Sequence, residues 1–123
     1  MGLIYKQLTI AGTRTSQRIK VLMDTGASYS FLRRREARRL GPLSKAPEPL
    51  TVQFGKGKAK VSEALFAMVH LNHYRIPWTF YVIPGLTEQA VIGVDFFQRY
   101  RIKLDPRTER IVVDPRYLVM KLI

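Results

Sequence analysis

From residue 3 to residue 83 the chain is a succession of short apolar segments, many alternating with period two, each stopped within a few residues by glycine, proline or asparagine. A side-chain period of two belongs to strands, and spacing this tight leaves no room for long helices. Residues 3–10 alternate loosely up to Ala11-Gly12, and residues 18–23 run straight into Asp24-Thr25-Gly26. Residues 50–54 meet Gly55-Lys56-Gly57 and resume at Lys58, which predicts a glycine-tipped hairpin over about residues 50–61. Residues 65–71 and 76–83 pair around Asn72-His73, and Pro84-Gly85 closes that unit. Two short helices are expected, one over residues 33–40 with Gly41-Pro42 as its stop, the other over 95–100 with Asp95 placed to cap it. An extension over residues 105–123 adds strands at 110–113 and 117–123, the last an apolar edge that needs a partner within the fold or across a dimer. The expectation is one all-β domain over residues 1–123 with one or two short helices.

Composition removes several other classes. With 46% hydrophobic and 24% charged residues the chain is neither disordered nor fibrous. The absence of cysteine excludes a disulfide framework, an iron–sulfur centre and Cys-ligated zinc. His70 and His73, the two histidines, fall on a strand and its turn with no acid nearby, so no metal or other cofactor is expected. No apolar run approaches the ~18 residues of a membrane span and the start carries no export signal, which predicts a cytoplasmic protein without membrane contact. Lys plus Arg number 21 against 9 Asp plus Glu, a formal charge of +12, and Arg33, Arg34, Arg35, Arg38 and Arg39 crowd one short stretch. Such density can neutralise phosphates, yet no interleaved aromatic signature accompanies it; a solvated helix face is the favoured reading and nucleic acid the lesser one. Trp78, beside Phe80 and Tyr81, reads as core packing.

With only 9 acids, the search for carboxylate chemistry narrows to one position. In Val21-Leu22-Met23-Asp24-Thr25-Gly26-Ala27-Ser28 an acid ends an apolar strand and is followed by a hydroxyl, a glycine and small residues. An aspartate presented from the core differs from one capping a solvated turn, and Gly26 lets another chain approach it closely. The simplest structural alternative is an ordinary Asp-Thr-Gly turn between strands. A second element weighs against that: Ala90-Val91-Ile92-Gly93-Val94-Asp95-Phe96-Phe97 is an apolar strand, a glycine, an acid and a short amphipathic helix.

Together the two elements resemble the retropepsin-like aspartic proteases, the family of retroviral and retrotransposon proteases and their cellular and prokaryotic relatives. The resemblance runs in order over roughly residues 3–104. It implies a closed, mostly β acid-protease barrel and endopeptidase activity. By the same resemblance Asp24 is the catalytic aspartate, Thr25 bonds across the subunit boundary, and Gly26 and Ala27 complete the substrate-facing loop. Phe54, Gly55, Lys56 and Gly57 correspond to the tip of a flap, and Ile92, Gly93 and Val94 to a supporting second loop. The chain departs from the family pattern at Met23, at Tyr29 and in continuing past Leu104.

Peptide hydrolysis by carboxylates alone takes two of them around one water, one as base and one as proton donor. This chain has one Asp-Thr-Gly, and Asp95, the rival partner, sits where a helix cap belongs. A symmetric, obligate homodimer would supply the second carboxylate by placing two copies of Asp24 on its two-fold axis. Such a dyad works without a covalent intermediate and gives a bell-shaped pH profile on the acid side. The expected partners are therefore a second copy of the chain and an extended polypeptide with apolar side chains near the scissile bond, held by Val94, Ile83 and Phe54. Lys56 and Lys58 make the hairpin basic, which fits either solvated lysines or acidic groups on the substrate. The alternative from another class is a non-proteolytic basic all-β module of the same fold that binds nucleic acid or an acidic protein; such a module has no need of an intact Asp24-Thr25-Gly26.

Overall fold

The computed structural model describes residues 3–119 and 122, with the side chain of Phe54 outside that set. Among the described residues the strands are β1 (Ile4–Ala11), β2 (Ser16–Met23), β3 (Phe31–Arg33), β4 (Ser44–Phe54), β5 (Gly57–Leu71), β6 (Tyr74–Ile83), β7 (Ala90–Ile92), β8 (Lys103–Leu104) and β9 (Ile111–Val112). Helix α1 (Arg34–Leu40) follows β3, α2 (Val94–Tyr100) follows β7, and a 3₁₀ turn covers Pro115–Leu118. The strands pair in the order β1-β2-β7-β3-β6-β5, and β5 returns to β1 with Thr9 opposite His70, Ile10 opposite Val69 and Ala11 opposite Met68. This closes a six-stranded barrel without free edges, the all-β class and closed form expected. β4 stands outside the ring, bonded to β5 alone.

Alternation along the central strands explains why they read as apolar runs. Val21, Met23, Leu32, Ala90 and Ile92 face the main core, where they join Ile10, Phe80 and Phe96. Leu22, Phe31 and Val91 point the other way, into a second apolar cluster with Val61 and Ile83. Strands buried on both faces have no polar positions to alternate with. Helix α2 contributes Phe96, Phe97 and Tyr100 to the core, and Trp78 meets Phe96 edge-on at 5.3 Å, the packing role expected of it.

Both hairpins form at the predicted places. β5 and β6 turn on Asn72-His73, with Leu71 opposite Tyr74. β4 and β5 turn on Gly55-Lys56, where Gly55 has φ 55°, a conformation that favours glycine and suits the first position of a type II′ turn. The flanking strands are longer than the sequence suggested. β4 begins at Ser44, and its pairing with β5 shifts register between Lys45 and Leu50, around Pro47 and Pro49. Prolines are tolerated there because β4 is an edge strand with one partner. β5 is one continuous strand of 15 residues that pairs with β6 only from Glu63 onward.

Two expectations require correction. Helix α2 starts at Val94 with Gly93 as its N-cap, so Asp95 lies in the first turn and is not the cap. The tail expected as a strand over 117–123 instead has Tyr117 and Leu118 in the 3₁₀ turn, opened by the Asp114 carboxylate accepting from Arg116 N–H at 3.0 Å; residues 120, 121 and 123 lie outside the described residues. Pro115 pre-sets the turn, and Tyr117 packs against Arg101, whose guanidinium lies 4.8 Å from the ring centroid. No helix among the described residues is long and apolar enough to cross a membrane.

Candidate active site

β2 brings Val21, Leu22 and Met23 out of the interior and ends at Asp24, whose backbone N–H donates to Ile92 O at 2.9 Å. That bond continues the parallel pairing of β2 with β7 one residue beyond the strand. The chain then turns tightly: Gly26 N–H donates to Asp24 Oδ1 at 2.9 Å, and Ala27 N–H to Asp24 O at 3.1 Å. A Cβ on Gly26 would stand 3.1 Å from the same carboxylate oxygen, so glycine leaves the acid uncrowded. Asp24 is half-buried, while Thr25 and Gly26 are exposed.

The second loop is fastened directly to the first. Val94 N–H donates to Ala27 O at 2.8 Å. A Cβ on Gly93 would lie 2.3 Å from Tyr29 O and 2.7 Å from Ala27 O, an overlap that only glycine avoids. Gly93 N–H donates to Ser30 Oγ at 3.0 Å, and Ser30 Oγ–H donates to Asp95 Oδ1 at 2.8 Å. Asp95 Oδ1 also accepts from Phe96 N–H at 2.8 Å, so this acid ties helix α2 to the loop ahead of β3. The fold thus places Ile92, Gly93 and Val94 against Asp24–Ala27. Ser30, fully buried, is the residue that sequence reasoning missed; its one signal is a hydroxyl immediately before the apolar pair Phe31-Leu32.

Asp24, Gly26 and Ala27 open onto a cleft of about 630 Å³. Phe31, Tyr81, Ile83, Leu86 and Val91 supply apolar wall, and Leu50, Thr51, Val52, Gln53 and Gly55 of the β4–β5 hairpin face it. Asp24 is the one charged side chain among the described residues lining this cleft. Of the expected subsite residues, Ile83 is on the wall and Val94 is not. Strand alternation turns Val91 to the cleft and Ile92 to the core, and α2 begins at Val94 before the pattern can return. The expectation for Phe54 concerns a side chain outside the described residues. Lys56 and Gly57, at the hairpin tip, are exposed and away from the cleft lining. Among the five clustered arginines, Arg33 makes two bonds to buried Glu36 at 2.6 and 2.8 Å and Arg34 reaches Glu63 at 3.0 Å, while Arg35, Arg38 and Arg39 carry no ion pair among the described residues.

A family profile described as "gag-polyprotein putative aspartyl protease" matches residues 8–99, a span holding both loops and the intervening hairpin. The chain belongs to the retropepsin-like aspartic protease family. This retropepsin-like chain is 26% identical over 98 residues to the Protein DDI1 homolog of Leishmania major, a match that covers 78% of the chain and 25% of that protein's length. Its fold is similar to the crystal structure of the retroviral protease-like domain of Ddi1 from the same organism, with a TM-score of 0.67 at 21% identity, over 93% of this chain and 89% of that one. EIAV protease, solved in complex with the inhibitor HBY-793, follows at a TM-score of 0.62 and 21% identity, over 85% of this chain and 93% of its own. A retropepsin-like aspartic protease from Rickettsia conorii gives a TM-score of 0.57 at 20% identity, over 85% and 77% of the two chains.

Proposed function

We propose that this retropepsin-like chain is an aspartic endopeptidase that acts as a homodimer, with Asp24 of each subunit forming the dyad. The observation that carries the proposal is Asp24 itself: a half-buried carboxylate, the sole charge among the described residues of an otherwise apolar and polar cleft, held by two interlocked loops. One carboxylate cannot be base and acid at once. Asp24 and Gly26 also line a second concavity on the other side of their loop, together with Leu3, Ile4, Met23 and Leu104, which supports a second copy docking beside the cleft. Thr25, exposed next to the acid, has a hydroxyl to offer across that boundary.

In this mechanism one carboxylate takes a proton from a water lying between the pair while the other, protonated, donates to the scissile carbonyl oxygen. Water attacks directly, so no acyl-enzyme forms. Two carboxylates sharing one proton lose activity when both are protonated and when both are ionised, which gives a bell-shaped profile on the acid side. The hairpin over residues 50–61 acts as the flap, and the apolar walls select an extended segment with apolar side chains around the bond to be cut. The test is cleavage of casein at mildly acidic pH by the native chain and by Asp24→Asn. The variant is expected to lose at least about 100-fold in rate; equal rates would overturn the assignment.

A further inference from the structure

Away from the cleft, and sharing no lining residue with it, a groove of about 860 Å³ runs between β1, β2, the β5–β6 turn and β9. Lys6, Arg18 and Arg110 line it with permanent positive charge, and His70 and His73 add two more basic groups. No carboxylate lines it, and among the described residues none of its three cations has an acid within ion-pair distance. Barrel closure builds part of this surface: Thr9 is directly opposite both Arg18 on β2 and His70 on β5, so the three side chains form a row across the strands. Asn72 Nδ2–H donates to Ile111 O at 3.3 Å and holds Arg110 beside the turn. At the same turn the exposed His73 ring lies against Tyr74, with centroids 4.0 Å apart and the planes tilted by 36°.

We propose that this groove binds single-stranded nucleic acid. Its cations would neutralise successive phosphates, and the exposed face of the His73 ring, backed by Tyr74, gives a base a flat surface to lie on. A duplex could meet the cations with its phosphates, but its paired and stacked bases cannot lie on the His73 ring, which favours a single strand. An acidic peptide would match the cations but leave the stacking surface unused. Three of the cations behind the charge surplus then have a defined place on the barrel wall, apart from the arginine-rich α1.

The test is fluorescence anisotropy of a short labelled oligouridylate with the native chain, compared with an RNA duplex and a polyglutamate peptide of equal charge. The single strand is expected to bind more tightly than either competitor. Arg18→Gln combined with Arg110→Gln is expected to weaken it and to reduce the slope of log affinity against log salt by roughly 1.4, about 0.7 for each phosphate no longer neutralised. His73→Ala is expected to weaken it about fivefold or more with the slope unchanged. Removing two charges from α1 instead, as Arg35→Gln with Arg38→Gln, is expected to leave affinity near native. An equal loss from that control, equal binding of the duplex or of polyglutamate, or no binding at all would overturn the proposal. None of these residues lies in the cleft, and casein cleavage by each variant separates this result from the protease assignment.

Discussion

Ser30 has a role at the atomic scale that no apolar residue could fill. It accepts from Gly93 N–H, donates to Asp95, and is fully buried, so Ser30→Ala leaves the buried Gly93 N–H without an acceptor while half-buried Asp95 keeps its bond from Phe96 N–H. The expected cost is about 1–3 kcal/mol, read as a lower midpoint in thermal unfolding, with cleavage falling alongside because the two loops loosen together. An unchanged midpoint would show that the loops are held by backbone bonds alone. A second residue-scale effect concerns pH. The guanidinium of Arg33, by its hydrogen bonds first, holds the buried Glu36 carboxyl below its ordinary value of 4.5, against the opposing effect of burial. A group whose pKa is lower in the folded chain adds stability above its unfolded pKa and loses that contribution as pH falls through the folded value. Glu36→Gln is therefore expected to melt earlier than the native chain at pH 7, with the two midpoints converging as the solution is acidified below about pH 4. A gap independent of pH would mean that the pair contributes through packing only. The direction matters because the proposed dyad favours acid while this ion pair does not.

At the scale of elements, the β4–β5 hairpin combines a constrained tip with open surroundings. Gly55 sits at φ 55°, yet a Cβ there would meet nothing within 4 Å. Gly55→Val is thus expected to strain the tip by about 1–3 kcal/mol, lowering the unfolding midpoint by a few degrees and kcat/KM on a peptide substrate up to about 100-fold. Gly55→Asn, a residue that tolerates positive φ, is expected to retain most activity, and equal losses from both variants would remove the strain argument. The strands were legible because alternation and turn pairs such as Asn72-His73 and Gly55-Lys56 are local signals. The start of β4 was not, since Pro47 and Pro49 argue against a strand until the position of β4 at the sheet edge is known. The tail misled for a related reason: apolar residues after Pro115 look like a strand, but the fixed proline φ and the Asp114 bond to Arg116 N–H start a 3₁₀ turn. In the site, Asp24 and Gly93 were readable from their motifs, whereas Ser30, Leu86 and Val91 became evident only when strand pairing brought them together.

For the whole molecule, the decisive quantity is the number of chains per active site. If each site is shared, mixing native and Asp24→Asn chains at constant total concentration and allowing exchange is expected to give activity proportional to the square of the native fraction. A linear dependence would place a complete site in one chain. The barrel that would anchor such a dimer is also the root of the hairpin. β5 is clamped between β6 and β1 along its later half and is bonded only to β4 along its earlier half. Mechanically this is a cantilever, whose tip deflection under a given load grows steeply with the free length. If this arm is the proposed flap, how far it swings is set by where β6 pairing stops, at Glu63, and lengthening the overhang by a residue pair would alter its reach more than rewriting its tip.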